Sequence, residues 1–327
     1  MNNTNKQSPK IRIALLDDYH NRASSYADWS TADFAVFHFF SNNHSNEAEL
    51  ITELQDYDAV GLMRERTAFP KHIIEQLPRL RLIVTTGRKN ASIDVTAATE
   101  HGITVCGTES PGHATAELAF LMVMALSRQL VPLSNALQQT GDWQPVMGRD
   151  MRNQTLGIIG LGRLGGQLAG FAKAMGMHVI AWSENLTAQR CAELDVTQVS
   201  RNTLFSDADT VSIHLRHSLR THNMIGTDDL VNLGSSGYLV NTSRADIVAP
   251  GALRHALDND IIAGAATDVF EQEPAQQSHW MVQHPKVLAT PHIGYCTNET
   301  FEVFYQQMLE AFEAYFKGAP IRVISSS

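Results

Sequence analysis

In its first third the chain alternates short apolar runs with polar stretches. KIRIALLDD (10–18), YDAVGLM (57–63) and LRLIVTTG (80–87) are compact apolar runs, the form taken by buried strands. Between them lie polar, helix-compatible segments such as SNEAELITEL (45–54) and PKHIIEQL (70–77). Strand, helix, strand, helix predicts a parallel sheet with helices on both faces.

A second series begins after residue 110. GHATAELAFLMVMALSRQL (112–130) is apolar nearly all round and predicts one long buried helix. TLGIIG (155–160), HVIAWS (178–183), TVSIHL (210–215), GYLVNTS (237–243), IAGAATDVF (262–270) and KVLATPHIG (286–294) follow as strand candidates, all but the last pair separated by about a helix length. Six such strands are the number in a doubly wound dinucleotide fold. ETFEVFYQQMLEAFEAYFKG (299–318) closes the series as a helix with apolar residues at spacings of three and four and a stop at Gly318.

The 327 residues suffice for about two domains. Composition narrows the partners. Net charge is −9 with no dense Lys/Arg run, which argues against nucleic acid or an anionic membrane. Cys106, Cys191 and Cys296 are far apart and form no CxxC pair, so neither a disulfide framework nor a zinc site is expected. MNNTNKQSPK (1–10) is polar and lacks the apolar core of a signal peptide; it reads as a frayed tail. The run LAFLMVMAL (118–126) is too short to span a bilayer. Cytoplasm is the expected location.

Gly160, Gly162 and Gly165 stand in the order G-x-G-x-x-G, after one candidate strand and at the opening of a helical segment, with a second strand beyond. That context defines a nucleotide-binding βαβ unit. The first glycine permits a tight turn, the second lets backbone approach a pyrophosphate, and the third lets helix and strand pack closely. The helix N-terminus offers N–H groups to phosphate. An acid is expected after the second strand to hold the ribose hydroxyls; Ser183 takes that place, followed by Glu184 and Asn185. Serine removes a charge that would repel a 2′-phosphate, while Glu184 restores one if it turns inward. NAD and NADP both stay open.

LVNTSRADIV contains Arg244, ATDVFEQEP contains Asp268 and Glu273, and ATPHIG contains His292. All three leave candidate strands toward the ligand-facing edge of an open parallel sheet. With GIIGLGRLG, VNTSRADIV, ATDVFEQEP and TPHIG in this order and spacing, the chain resembles the D-isomer-specific 2-hydroxyacid dehydrogenases from about Ile11 to Val323. The resemblance implies a catalytic triad of Arg244, Glu273 and His292, with Asp268 on the nicotinamide carboxamide side. It implies a cofactor, NAD with NADP not excluded, bordered by Gly160, Gly162, Arg163, Leu164, Gly165, Ser183, Glu184, His214, Leu215, Thr242, Ser243, Gly294 and Thr115. It implies an α/β architecture of two doubly wound parallel-sheet domains. A Rossmann dinucleotide-binding domain (108–292) is inserted into a flavodoxin-like substrate domain (1–107 plus 293–327), with a deep cleft between them and a homodimer as the assembly.

The residue types suit a hydride transfer coupled to a proton transfer. An imidazole exchanges protons near neutral pH. Glu273 would hydrogen-bond its other ring nitrogen, and Arg244 would clamp a substrate carboxylate with a fork that lysine lacks. The partner expected is therefore a small 2-oxo or 2-hydroxy acid, such as glyoxylate, hydroxypyruvate or a pyruvate-like acid. A formate dehydrogenase is disfavoured, because there, by resemblance, an amide replaces Glu273. The chain also ends at 327 without the extra domain of long phosphoglycerate dehydrogenases, which favours a small acid. The alternative from another class is a non-catalytic NAD(H)-sensing binding module.

Some segments depart from the family pattern. Arg216 stands two places after His214, where proline is usual; a cleft-lining role and a solvated charge are both open. His214 and His217 are three apart on a strand end, so no metal is expected. In TTGRKNASID (85–94) the loop keeps Gly87 while Lys89 and Ala91 replace residues that are often Gly and Asp. Thr86, Gly87 and Arg88 are expected to bind substrate there, with backbone N–H groups facing its carboxylate. Arg64 or Arg66, in MRERT (63–67), binds a second acidic group on the substrate, or both pair at the surface with Glu65. Thr115, in GHATAEL (112–118), is expected at the nicotinamide side, and Cys106 as a buried hydrophobe. Tyr295 and Cys296 are expected in the pocket wall, and no base beside Cys296 marks it as a nucleophile.

Overall fold

The computed structural model describes residues 10–42 and 46–325. The N-terminal segment read as a tail therefore lies outside the described residues, except for Lys10. The chain forms two compact units, one from both chain ends and the other from Gly112–Cys296. The chain passes between them after Pro111 and returns at Thr297, each crossing four residues beyond the changes that the sequence reading set after 107 and 292.

The first unit is built on β1 (Ile11–Leu15), β2 (Ala35–Phe39), β3 (Ala59–Leu62), β4 (Leu82–Thr85) and β5 (Thr104–Gly107). These pair in parallel in the order β2-β1-β3-β4-β5, a flavodoxin-like winding. β2 was not among the expected strands. It is an edge strand in which Val36 is exposed and three of five positions are half-buried, so it lacks the unbroken apolar run of a central strand. Asn46 and Asp94 cap the helices that follow β2 and β4, accepting from the amides of Ala48 and Ala97 at 3.1 and 2.9 Å. The helix Asn298–Phe316 belongs to this unit, and Met308 approaches β3 where Gly61 has no side chain. Cys106 is fully buried, and burial pushes its thiol up to about 11, as suits a packing residue.

The second unit carries β6 (Thr155–Ile159), β7 (His178–Trp182), β8 (Thr197–Gln198), β9 (Thr210–Ile213), β10 (Tyr238–Asn241), β11 (Gly264–Thr267) and β12 (Val287–Ala289). All pair in parallel, in the order β12-β11-β10-β9-β6-β7-β8. The sheet thus has seven strands rather than the six counted from the sequence. β8, the added edge strand, is two exposed residues long and has no apolar signature. Both faces are buried, and side chains alternate between them. Leu156, Ile158 and Val240 enter one core, while Ile159, Val211 and Leu239 enter the other. The winding reverses between β6 and β9, the place where such sheets bind ligands.

The long helix expected over 112–130 is shorter and one-sided. It runs Ala114–Ser127, and Gln129 then takes φ 51° and ends it. A second helix, Leu130–Gln139, leaves at 62°. Ala119, Met122 and Val123 face the core, but Leu121 is 54% exposed, and no residue of the second helix is buried. Among the described residues no single helix is long and apolar enough to cross a membrane.

Candidate active site

The glycine loop joins β6 to the helix Arg163–Ala174, whose N-cap is Gly162. Gly160 has φ +98°, and a Cβ there would stand 2.7 Å from the His214 carbonyl and 2.8 Å from Leu215 Cδ2. A Cβ on Gly165 would run into the Gly160 carbonyl, whereas one on Gly162 would meet nothing within 4 Å. Two glycines thus permit packing, and Gly162 leaves open space before the helix N-terminus. Arg163 and Leu164 begin that helix, with the Arg163 guanidinium lying where a side chain on Gly112 would stand.

Beyond β7, Ser183 is half-buried and its carbonyl accepts from Leu186 N. Glu184 is exposed, with its carboxylate 3.8 Å from Arg220. These residues line a cavity of about 660 Å³, together with the glycine loop and the segment from His214 to Thr221. His214 Nε2 lies 2.9 Å from Ser212 Oγ, and Nδ1 is buried without a hydrogen-bond partner among the described residues. Burial lowers the His214 pKa to about 4, so its ring is neutral. His217 faces His222 at 3.2 Å. Among the described residues, no three His, Cys, Asp or Glu side chains gather to hold a metal.

Next along the sheet, the turn after β10 is tied down by its own side chains. Asn241 accepts from Ser243 N and donates to the Arg244 carbonyl, at 3.0 and 2.9 Å. Ser243 Oγ donates to the Ile213 carbonyl at 2.7 Å, bridging to the end of β9. Thr242 Oγ1 is buried and has no hydrogen-bond partner among the described residues. An open glycine cradle at a helix N-terminus and an orphaned hydroxyl farther along the same sheet edge fit an elongated, phosphate-bearing dinucleotide.

His292 sits on the loop after β12 with φ 52°, a left-handed conformation that is costly for a side-chain-bearing residue. Asp268, at the end of β11 and 1% exposed, holds that loop in place. Its Oδ1 accepts from Thr290 Oγ1 at 2.6 Å and Ile293 N at 2.8 Å, and its Oδ2 accepts from Gly294 N at 2.7 Å. Thr115 Oγ1 donates to the Gly294 carbonyl at 2.8 Å. A Cβ on Gly294 would lie 3.0 Å from Asp268 Oδ2 and 3.3 Å from Thr115. The sequence offered Asp268 only as a cofactor contact; its function as the clasp of the His292 loop had no local signal, because the loop is more than twenty residues away. Burial raises the Asp268 pKa against these hydrogen bonds.

Glu273 Oε2 lies 2.5 Å from His292 Nδ1, and Oε1 accepts from the Phe270 amide at 3.0 Å. Burial pushes the Glu273 carboxyl upward, but the His292 hydrogen bond and charge, the Phe270 amide and the Arg244 charge outweigh it and leave the pKa lowered. An ionised carboxylate only accepts, so Nδ1 carries the ring proton of this contact and Nε2 is the atom left to exchange one. Arg244 donates to the Ser243 carbonyl at 2.7 Å. Tyr295 is buried, with its ring 5.8 Å from that of His292, and Cys296 Sγ lies 3.9 Å from the His292 carbonyl.

The residues expected to bind substrate in the first unit contact one another and their neighbours as follows. Thr86 is fully buried and its Oγ1 accepts from Arg64 N at 2.8 Å. The Gly87 amide donates to Thr108 Oγ1 at 2.9 Å. Arg88 makes a two-point contact with Glu109, at 2.6 and 2.8 Å. Arg64 takes φ 57°, its guanidinium lies beside Gly87, and its Nε is 3.8 Å from Glu65. Asn90 braces this loop, donating to the Arg64 carbonyl and to Thr85.

The winding and the glycine cradle define a doubly wound, dinucleotide-binding class of fold, with the His–Glu pair on the loops that follow β11 and β12. Residues 120–294 match the description "D-isomer specific 2-hydroxyacid dehydrogenase, NAD binding domain", and the chain belongs to that family. It is 34% identical to a D-3-phosphoglycerate dehydrogenase of Synechocystis sp. over 280 residues, covering 85% of this chain and 50% of that one. It is 33% identical to a glyoxylate reductase of Thermococcus litoralis over 282 residues, covering 82% and 83%. A crystal structure of a phosphoglycerate oxidoreductase from Vibrio cholerae superposes with a TM-score of 0.89 at 32% identity, covering 94% of this chain and all of that one. The chain spans about half the length of the D-3-phosphoglycerate dehydrogenases of Synechocystis sp., Bacillus subtilis and Archaeoglobus fulgidus.

Proposed function

We propose that this chain is an NAD(P)-dependent oxidoreductase that interconverts a small 2-oxo acid and its (R)-2-hydroxy acid, with glyoxylate, hydroxypyruvate or a pyruvate-like acid as substrate. The observation that carries this reading is the His292–Glu273 pair at 2.5 Å, on a loop clasped by Asp268. When bound, the nicotinamide supplies or accepts the hydride at substrate C2. His292 Nε2 gives a proton to the C2 oxygen in reduction and takes it back in oxidation. Glu273 fixes the ring and its tautomer, and Arg244 holds the substrate carboxylate. Such a positioned acid–base contributes about 10²- to 10⁴-fold in rate. The nearly full-length match to a glyoxylate reductase favours a small acid.

The proposed assembly is a homodimer. Leu130, Leu137, Trp143 and Met147 expose apolar surface on the segment after Gln129, with Trp143 77% and Met147 91% exposed. Large apolar side chains exposed along one segment support an interaction site there.

The test is initial-rate oxidation of NADH and NADPH against a panel of 2-oxo acids, with the wild type and His292→Ala. Wild-type turnover with at least one small acid, lost in the variant while dinucleotide affinity is kept, supports the proposal. Tight dinucleotide binding with no turnover by any acid would favour a binding module instead.

A further inference from the structure

Resting on the dinucleotide reading above, we infer that the cavity beyond β7 is a 2′-phosphate subsite, so that the chain selects the 2′-phosphorylated dinucleotide over the unphosphorylated one.

Three observations carry this. The first is the missing acid. A dinucleotide with a free ribose diol is held by a carboxylate at the end of the second strand of the βαβ unit, and Ser183 stands there, half-buried and lining the cavity. The second is the neighbouring acid. Glu184 is drawn toward Arg220 at 3.8 Å, so its charge is offset within the cavity wall.

The third is the cationic wall. Arg190, Arg216 and Arg220 line the same space against the single carboxylate of Glu184, in a chain whose net charge is −9. Arg190 is anchored: its Nε donates to the Leu161 carbonyl at 3.1 Å, and its Nη1 meets Glu193 at 3.2 Å. Arg216 has no carboxylate partner among the described residues. Its backbone is fixed, because its carbonyl accepts from Thr221 Oγ1, which also accepts from Ser218 N, both at 2.8 Å. The turn therefore holds the Arg216 and Arg220 backbones at the rim instead of leaving them on a loose loop. A group carrying two negative charges and three acceptor oxygens suits such a wall; a neutral hydroxyl does not use it.

The experiment is calorimetric titration of the full chain with adenosine 2′,5′-bisphosphate and with 5′-AMP, two probes that differ only in the 2′-phosphate. NADPH and NADH are titrated in parallel by fluorescence. The expected result is ~10-fold or tighter binding of the 2′-phosphorylated member of each pair. Arg216→Gln and Arg220→Gln should each shrink that ratio several-fold while leaving 5′-AMP affinity nearly unchanged, and Ser183→Asp should reverse it. Equal or weaker binding of the bisphosphate by the wild type overturns the inference. So does an equal loss for both probes in the arginine variants. If neither dinucleotide binds, the cofactor reading falls with it. A chain that binds as expected but reduces no 2-oxo acid keeps this inference and loses only the proposed activity. Because the wild-type comparison decides by itself, a variant that fails to fold does not leave the matter open.

Discussion

His292 Nδ1 and Glu273 Oε2 are 2.5 Å apart, although nineteen residues separate them in the chain. The second oxygen of Glu273 is occupied by the Phe270 amide, so the carboxylate cannot turn away without leaving a backbone donor unpaired. The pair is thus positioned from the Glu273 side by main chain, and from the His292 side by Asp268.

Replacing Glu273 by Gln should lower kcat by about 10²-fold or more, with little change in dinucleotide affinity, because the ring loses its fixed tautomer. Stability should respond to pH as well. The folded-state pKa of Glu273 is depressed below 4.5, so its contribution is present above that value and is lost as pH falls through the depressed one. Thermal midpoints of wild type and Glu273→Gln, measured from neutral pH downward, should converge in acid. A difference that grows on acidification would contradict the assignment.

Asp268→Ala should cost about 2–4 kcal/mol of stability, because the amides of Ile293 and Gly294 lose a buried acceptor. Its pH signature is opposite in sign. Burial raises the Asp268 pKa above 3.8, so the stability it contributes diminishes as pH rises from 3.8 through the raised value. Urea unfolding across that range should show the deficit of the alanine variant widest in acid. Activity should fall with stability, since the His292 loop loses its clasp.

The three loop glycines should separate on substitution. Gly165→Ala places a methyl group against the Gly160 carbonyl and should destabilise by about 1–3 kcal/mol. Gly162→Ala meets nothing within 4 Å and should unfold with the wild type while losing dinucleotide affinity. Calorimetric unfolding paired with NADH titration distinguishes the two. Equal thermal losses in both would show that Gly162 is a packing glycine.

Replacing Leu137 and Trp143 together by Glu should convert a dimer to a monomer, measured by light scattering after size exclusion, without lowering the unfolding enthalpy per chain. Both side chains are more than half exposed, so the substitutions leave each core intact. A wild type that is already monomeric at micromolar concentration would remove the dimer proposal.

Part of this molecule was legible from local pattern. The G-x-G-x-x-G spacing between Ile159 and the helix at Arg163 is read within a few residues, and both the strand ladder and the cradle form where it places them. Strands buried on both faces announce themselves as apolar runs, which is why β6, β7, β9 and β10 were readable. β2 and β8 were not, because most of their side chains are half-buried or exposed and they carry no unbroken apolar run. The break at Gln129 was equally hidden: the apolar stretch continues past it, and only the backbone reversal at φ 51° divides the helix.

The sequence by itself determined the winding, the glycine cradle and the residue types of the site, since each depends on periodicity or on contacts only a few residues apart. Tertiary structure decided what those residues touch. It gave Asp268 to the amides of Ile293 and Gly294, turned the Gly87 amide to Thr108, and drew Glu184 toward Arg220. Each of these pairings joins strand-end segments more than twenty residues apart. Their partners are chosen by which strands lie side by side in the sheet, a long-range outcome of packing that no local pattern encodes.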